Sequence, residues 1–325
     1  MSEDNIKRYD RTMVNFSNWG IATIVVLYLL ILAGGVVRSS GAGMGCPDWP
    51  KCFDRIVPPT HVDELPANYQ EIYKNHGYGS TEFNAVKTWI EYINRLLGVL
   101  TGFFILISFG LSIKIRKSNP KIFYLMLATF ILVLIQGWLG GQVVATNLHA
   151  LLVSIHMVLA LVIVALVIWA VYLAKHPATE NKVEVPVLWR NLLIWTLVLI
   201  FVQVIIGTQV REQIDFLSVL MIDASRQSWV DSLTWRLEIH RILALPIIVV
   251  SIFGWLKVKK LNVKAGYFFG ITAGLAILQV LLGVFLSYLG LPPVAQALHI
   301  LVASLLVGSH FYCLLLIKIE GKKLK

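Results

Sequence analysis

The chain alternates long apolar runs with polar connections. A helix that crosses a bilayer needs about 20 mostly apolar residues. Eight stretches reach that length, at about 18–37, 89–113, 122–142, 149–174, 189–210, 236–256, 266–288 and 293–317. The connections after the second, fourth, sixth and eighth runs are basic. They carry Lys114, Arg116, Lys117 and Lys121; Lys175, Lys182 and Arg190; Lys257, Lys259, Lys260 and Lys264; and Lys318, Lys322, Lys323 and Lys325. The N-terminal stretch adds Lys7, Arg8 and Arg11. Basic residues collect on the cytoplasmic side of membrane proteins. The pattern therefore predicts eight transmembrane helices in the cell (inner) membrane, with both termini cytoplasmic. On the outer side the connections at about 38–88 and 211–235 are long, and those at 143–148 and 289–292 are short. The first run follows a polar stretch of mixed charge and is long enough to span, so no cleavable signal peptide is expected.

Composition agrees. Of 325 residues, 57% are hydrophobic and 14% charged, with mean hydropathy +0.75. Soluble proteins carry roughly 25% charged residues, so a soluble globular domain is excluded, and so is a disordered chain. The net charge of +10 is explained by connections at a lipid surface, and no nucleic-acid partner is expected.

The second half echoes the first. Gly34-Gly-Val-Val-Arg38 resembles Gly207-Thr-Gln-Val-Arg211, and Asn94-Arg95-Leu-Leu resembles His240-Arg241-Ile-Leu. Gln136, Gly140 and His156 recur as Gln279, Gly283 and His299 at a constant offset of 143. Four helices per repeat give two copies of the same sense, a parallel repeat. The expected architecture is an all-α membrane protein of two pseudo-symmetric four-helix bundles. A tail at 1–17 precedes the first bundle (18–174, with the outer loop 38–88). A cytoplasmic linker at 175–188 leads to the second bundle (189–317), and a tail follows at 318–325.

Ionisable groups inside spanning helices are rare and usually functional. His156, His240 and His299 fall a few residues from the outer ends of their runs, and so do Glu91 and Asn94. Facing histidines on bundle helices can hold haem. The second half offers His240 and His299 to one iron, a closed six-coordinate arrangement suited to electron transfer. The first half has His156, but Asn94 stands where the repeat predicts His. Glu91 shares a helix face with Asn94 at i, i+3, and its repeat counterpart is Leu237. One redox haem site and one catalytic haem site are expected. Arg38, Arg95, Arg211 and Arg241 lie near the same face, where they can pair with propionates or snorkel to lipid phosphate.

On these residues the sequence resembles the haem A synthase family. The resemblance covers about 18–317 and is carried by Gly35-Val-Val-Arg38-Ser-Ser-Gly41, Cys46-Pro-Asp-Trp-Pro-Lys-Cys52, Glu91-Tyr-Ile-Asn94-Arg95, His156, Ile239-His240-Arg241 and His299. It implies a membrane enzyme that oxidises the C8 methyl of haem O to a formyl group through a hydroxymethyl intermediate, giving haem A for terminal oxidases. It further implies haem b on His240 and His299, with Arg241 and Arg211 beside it. Substrate haem would sit on His156, with Arg38 and Arg95 beside it and Glu91 and Asn94 as catalytic groups. The implied partners are a haem O synthase, oxidase assembly factors and an unidentified electron donor, with homo-oligomerisation left open. The sequence departs from the family at Asn94, where His is common. An amide ligates iron poorly, so His156 is expected as the sole protein ligand, with Asn94 a hydrogen-bonding group opposite it.

Cys46 and Cys52 sit in an outer, oxidising loop, where a disulfide is expected, structural or redox-active. Cys313 reads as a core thiol, His149 as an interfacial residue, His310 as a packing residue, and His61, His76 and His176 as solvated. Two other functions fit parts of the pattern. A two-haem electron-transfer cytochrome leaves Glu91 and the cysteine loop without a role. A parallel-repeat transporter would hold its charges nearer the midplane.

Overall fold

The computed structural model describes residues 3–76, 78–79, 81–176 and 182–320, and side chains from residue 11 onward. Among these residues eight helices are long and apolar enough to cross a membrane. They are α1 (Glu3–Ser39), α2 (Ala85–Ile115), α3 (Pro120–Ala145), α4 (Ala150–Lys175), α5 (Val187–Leu220), α6 (Trp235–Leu261), α7 (Val263–Tyr288) and α8 (Pro293–Leu315). The expected all-α, eight-span membrane class is what the chain adopts. Each consecutive quartet closes into a ring of neighbours, α1–α2–α3–α4 and α5–α6–α7–α8, and the quartets meet along α1, α4, α5 and α8.

In lipid the helices gain nothing by hiding apolar surface from one another, so close packing and interhelical hydrogen bonds hold them together. Hydroxyl pairs supply such bonds, with Thr23 to Ser108 at 3.0 Å joining α1 to α2 and Ser154 to Thr208 at 2.6 Å joining α4 to α5. Gly35 allows a close approach of the quartets, since a Cβ there would stand 3.2 Å from the Cα of Ala297 on α8. Leu161, Ile200, Ile247, Ala276, Leu306 and Val307 form a buried cluster from five helices. Leu134, Leu245 and Leu281, all 60% exposed or more, face outward where lipid solvates them.

Two expected boundaries are corrected. The N-terminal tail at 1–17 is largely helical, because α1 begins at Glu3. Phe16, fully buried, seats that end against Ile115, Ile122 and Met126. The expected loop at 211–235 is mostly helical as well. α5 continues to Leu220 because Val210, Ile214 and Leu217 keep an apolar stripe at helical spacing and bury it. Val210 and Ile214 pack on Val230 and Leu291. A short helix follows at Arg226–Asp231, its first turn capped by the Ser225 hydroxyl, which accepts from the Ser228 N–H.

The linker at 175–188 and the tail at 318–325 are not mere connections. Val183–Val185 pairs in parallel with Ile317–Ile319, tying the segment after α4 to the segment after α8. Residues 177–181 of that linker, and Lys322, Lys323 and Lys325 of the basic tail, lie outside the described residues. So do the side chains of Lys7 and Arg8. His176, expected to be solvated, instead stacks on Tyr172 with ring centres 4.6 Å apart and reaches the Tyr312 hydroxyl at 3.3 Å.

Candidate haem sites and the cysteine loop

All the expected site residues lie toward one end of the bundle, the end that carries the segment between α1 and α2. Each histidine faces a helix that leaves room for it. A Cβ added at Gly140 would stand 3.6 Å from Cε1 of His156, one at Gly207 3.3 Å from Cε1 of His240, and one at Gly283 3.5 Å from Cε1 of His299. The ring of His240 lies 6.4 Å, centre to centre, from that of His299. Two metal–nitrogen bonds of about 2 Å fit between such rings. Nδ1 of each ring is buried and has no partner. Two half-buried imidazoles with unused nitrogens, beside glycines that keep the space open, suit an iron with two axial imidazoles.

The other quartet is built differently. His156 also has a buried Nδ1 without a partner. Among the described residues no second imidazole pairs with it as His299 pairs with His240. Across the quartet Asn94 faces Gly34, and its Oδ1 is buried and unpartnered. His149 is the residue that precedes the first turn of α4, about two turns from His156.

Glu91 and Arg95 hold the cysteine loop. Cys46 and Cys52 form a disulfide, and both residues are fully buried. Glu91, 4% exposed, accepts the Cys46 N–H at 2.9 Å and pairs with Arg95 one turn on. The Arg95 guanidinium also donates to three loop carbonyls, Asp48 at 2.7 Å, Lys51 at 2.8 Å and Cys46 at 3.2 Å. Arg95, expected beside a propionate, thus has its donors on the loop. The loop closes on itself where Asp48 accepts from the N–H groups of Phe53 and Asp54. Phe53 then stands edge-on to Tyr73, Tyr78 and Phe83. Tyr78 donates to the Gly45 carbonyl, and burial pushes its phenol up to about 12. Gly45 is required at its position, because a Cβ there would meet the Lys87 carbonyl oxygen at 2.5 Å.

Arg38 and Arg211, expected in different sites, share one carboxylate. Asp215 takes Arg38 at 3.1 Å and Arg211 at 2.7 Å, and Arg211 also binds Gln296. The seam between the quartets is therefore a pair of cations with one anion between them. Arg241 pairs with Glu238 at 2.8 Å at a more exposed position. The cavity beside the cysteine loop, about 420 Å³, is lined by Trp49, Tyr73, His76, Trp138 and Gln142, among others. His76 is half-buried there, against the solvated expectation, whereas His61 is exposed. His310 is buried and bonds the Leu193 carbonyl at 2.9 Å, the packing role expected of it.

Sequence reasoning missed Asp215 and the loop-holding role of Arg95. It also missed a third copy of a pattern it had seen twice, for Gln203 and Gly207 face His240 as Gln136 and Gly140 face His156.

Residues 17–311 match the family model described as cytochrome oxidase assembly protein. Curated relatives named haem A synthase are similar in sequence. The one from Shewanella oneidensis is 29% identical over 218 residues, 65% of this chain and 61% of the relative. That from Pelagibacter ubique is 31% identical over 207 residues, 58% of each. The relative from Wolbachia pipientis wMel is 25% identical across 91% of both chains. The match thus spans about three fifths of the first two relatives and most of the third.

Proposed function

The chain belongs to the cytochrome oxidase assembly protein family, and we propose that it is a haem A synthase, a membrane oxidoreductase that converts the C8 methyl of haem O to the formyl group of haem A by way of a hydroxymethyl. One observation carries this reading. The two quartets hold unlike sites, two facing imidazoles at 6.4 Å in one and a single imidazole with an amide and a carboxylate in the other. Relatives named haem A synthase support it.

In this reading the α5–α8 quartet holds haem b between His240 and His299. His240 and His299 would hold the haem, which when bound would supply one-electron redox chemistry. Arg211 stands by for a propionate, and Arg241 does so from the rim. The α1–α4 quartet takes haem O as substrate. His156 binds the substrate iron, which leaves the opposite face to Asn94, whose unpartnered Oδ1 can accept a hydrogen bond. Glu91 fixes the cysteine loop over that face and keeps a carboxylate one turn from Asn94 for proton transfer. General acid–base help of this kind is worth roughly 10²–10⁴ in rate. Arg38 orients the substrate from the seam. In this reading the sites lie at the outer face of the cell membrane with both termini cytoplasmic, an orientation that the basic connections favour. The chain receives haem O from its synthase and delivers haem A to oxidase assembly.

The test is expression in cells that make haem O but lack their own haem A synthase, followed by extraction and chromatography of haem from the purified protein. Haem b together with haem O or haem A is expected. Haem b alone would identify an electron-transfer cytochrome, and no haem at all would point to a transporter.

A further inference from the structure

The three histidines share a second-layer arrangement. Gln136 on α3, Gln203 on α5 and Gln279 on α7 each lie one turn before the glycine that faces a histidine. Nε2 of Gln136 donates to the backbone oxygen of His156, and Nε2 of Gln203 to that of His240, both at 2.8 Å. Nε2 of Gln279 lies 3.0 Å from Nε2 of His299. In all three pairs the glutamine Oε1 and the histidine Nδ1 are buried without a partner. An unmade hydrogen bond on a buried group is costly. Six such atoms, matched three to three across the same helix contacts, are a pattern that requires a cause. The acceptor each imidazole lacks is the carbonyl the neighbouring glutamine has free.

We propose that Gln136, Gln203 and Gln279 are positioning residues for iron ligation. The carbonyls of Gln136 and Gln203 accept the Nδ1–H of their histidines and leave Nε2 for an iron; at His299 it is Nε2 that meets the Gln279 amide, whose carbonyl accepts that N–H and leaves Nδ1 for the iron. This rests on the haem reading above. A ligating histidine ordinarily donates its second ring N–H to an acceptor that sets its orientation and raises its basicity. The fourth quarter of the molecule departs at both positions together. On α1 Gly34 faces Asn94, with Oδ1 3.9 Å from where a Cβ would stand, but the residue one turn before it is Leu30. The quarter that lacks an imidazole also lacks the amide to hold one.

A more basic imidazole favours the ferric state, so Gln203 and Gln279 lower the potential of the haem between His240 and His299. The experiment is a redox titration of the low-spin b-type absorption in purified holoprotein. Gln203→Leu and Gln279→Leu should raise the midpoint and weaken haem retention by about 10–100-fold. Gln203→Glu and Gln279→Glu, which keep and strengthen the acceptor, should lower it. Shifts of the same sign in both variant types, or no shift, overturn the proposal, since an amide that only fills space cannot produce opposite displacements. If a variant loses its haem altogether, the wild type decides. With histidine labelled by ¹⁵N, the diamagnetic ferrous protein should show two slowly exchanging imidazole N–H protons, each with a cross-peak to a glutamine side chain. Imidazole N–H protons without that contact overturn the proposal. A wild type without a bis-imidazole spectrum would instead defeat the haem b reading, a separate result.

Discussion

Replacing Glu91 by Gln should loosen the cysteine loop before it affects anything else. The carboxylate is nearly sealed, at 5% side-chain exposure, and its partner Arg95 is at 13%. It serves two donors at once, the Cys46 N–H and the guanidinium. A glutamine can offer its carbonyl to one of them and must turn its NH₂ toward the other, donor against donor. A hydrogen bond to a charged group contributes about 1.5–3 kcal/mol, and breaking a buried ion pair costs about 3–5 kcal/mol. Arg95 keeps three loop carbonyls, so the loss falls near the lower bound, about 3 kcal/mol. At 1.36 kcal/mol per factor of ten, the open loop becomes roughly 100-fold more populated. Neither cysteine is exposed, so a reductant reaches the disulfide only when the loop opens, and its rate follows that population. Timed reduction followed by thiol alkylation and mass spectrometry should show Cys46–Cys52 opening about 100-fold faster in Glu91→Gln than in wild type. Haem A in the extract should fall while the b-type spectrum stays near normal. A reduction rate within about threefold of wild type would show that Glu91 does not anchor the loop, because about 3 kcal/mol cannot hide in so small a change. Wild-type haem A output would remove Glu91 from the chemistry.

Four further outcomes are expected. His240→Ala and His299→Ala should each abolish the low-spin b-type absorption, and retention of that spectrum by both would refute the pair as ligands. His156→Ala should keep haem b and bind added haem O poorly, as read by chromatography of extracted haem; loss of haem b from this variant would contradict the division between the quartets. Asn94→His should fold and keep some activity, and combining it with Leu30→Gln should raise the low-spin haem content above one per chain, which absorption and haem stoichiometry will show. Glu64 is held at about 2, against an ordinary 4.5, chiefly by the Thr60 hydroxyl and then by the backbone N–H groups of Thr60 and His61. Because its folded value is depressed, its contribution is whole above 4.5 and is lost as pH falls through about 2. Amide exchange at Thr60 and His61 should accelerate over that window, and Glu64→Gln should erase the step.

The eight spans were legible because twenty apolar residues in a row have few other uses. The matched depth of His156, His240 and His299 followed from counting along each run. The extension of α5 was not legible by hydropathy, since Arg211, Glu212 and Asp215 interrupt it. The stripe of Val210, Ile214 and Leu217 was present in the sequence and carries the helix onward. Asp215 sits between Arg38 and Arg211 only because α1 and α5 meet at the seam, 177 residues apart in one case. Likewise Arg95 reaches the Lys51 carbonyl 44 residues back through a chain reversal that spacing alone does not show. The Gln203–Gly207 pair could have been read, for it repeats the four-residue spacing of Gln136–Gly140 and Gln279–Gly283.

Adjacent glycines on α1 look in different directions, and this joins the two sites. Gly34 faces Asn94, while Gly35 lies against Ala297, whose Cα would be 3.2 Å from an added Cβ. Ala297 is two residues before His299. Between the quarter with the amide and the quarter with the imidazole there is, at this level, glycine backbone against the main chain and methyl of Ala297. The glycine pair lets α1 serve both quartets at one level, with Asn94 against one residue and the helix that carries His299 against the next. A single methyl at Gly35 would stand 3.2 Å from the Cα of Ala297 and press α1 away from α8, two residues from His299.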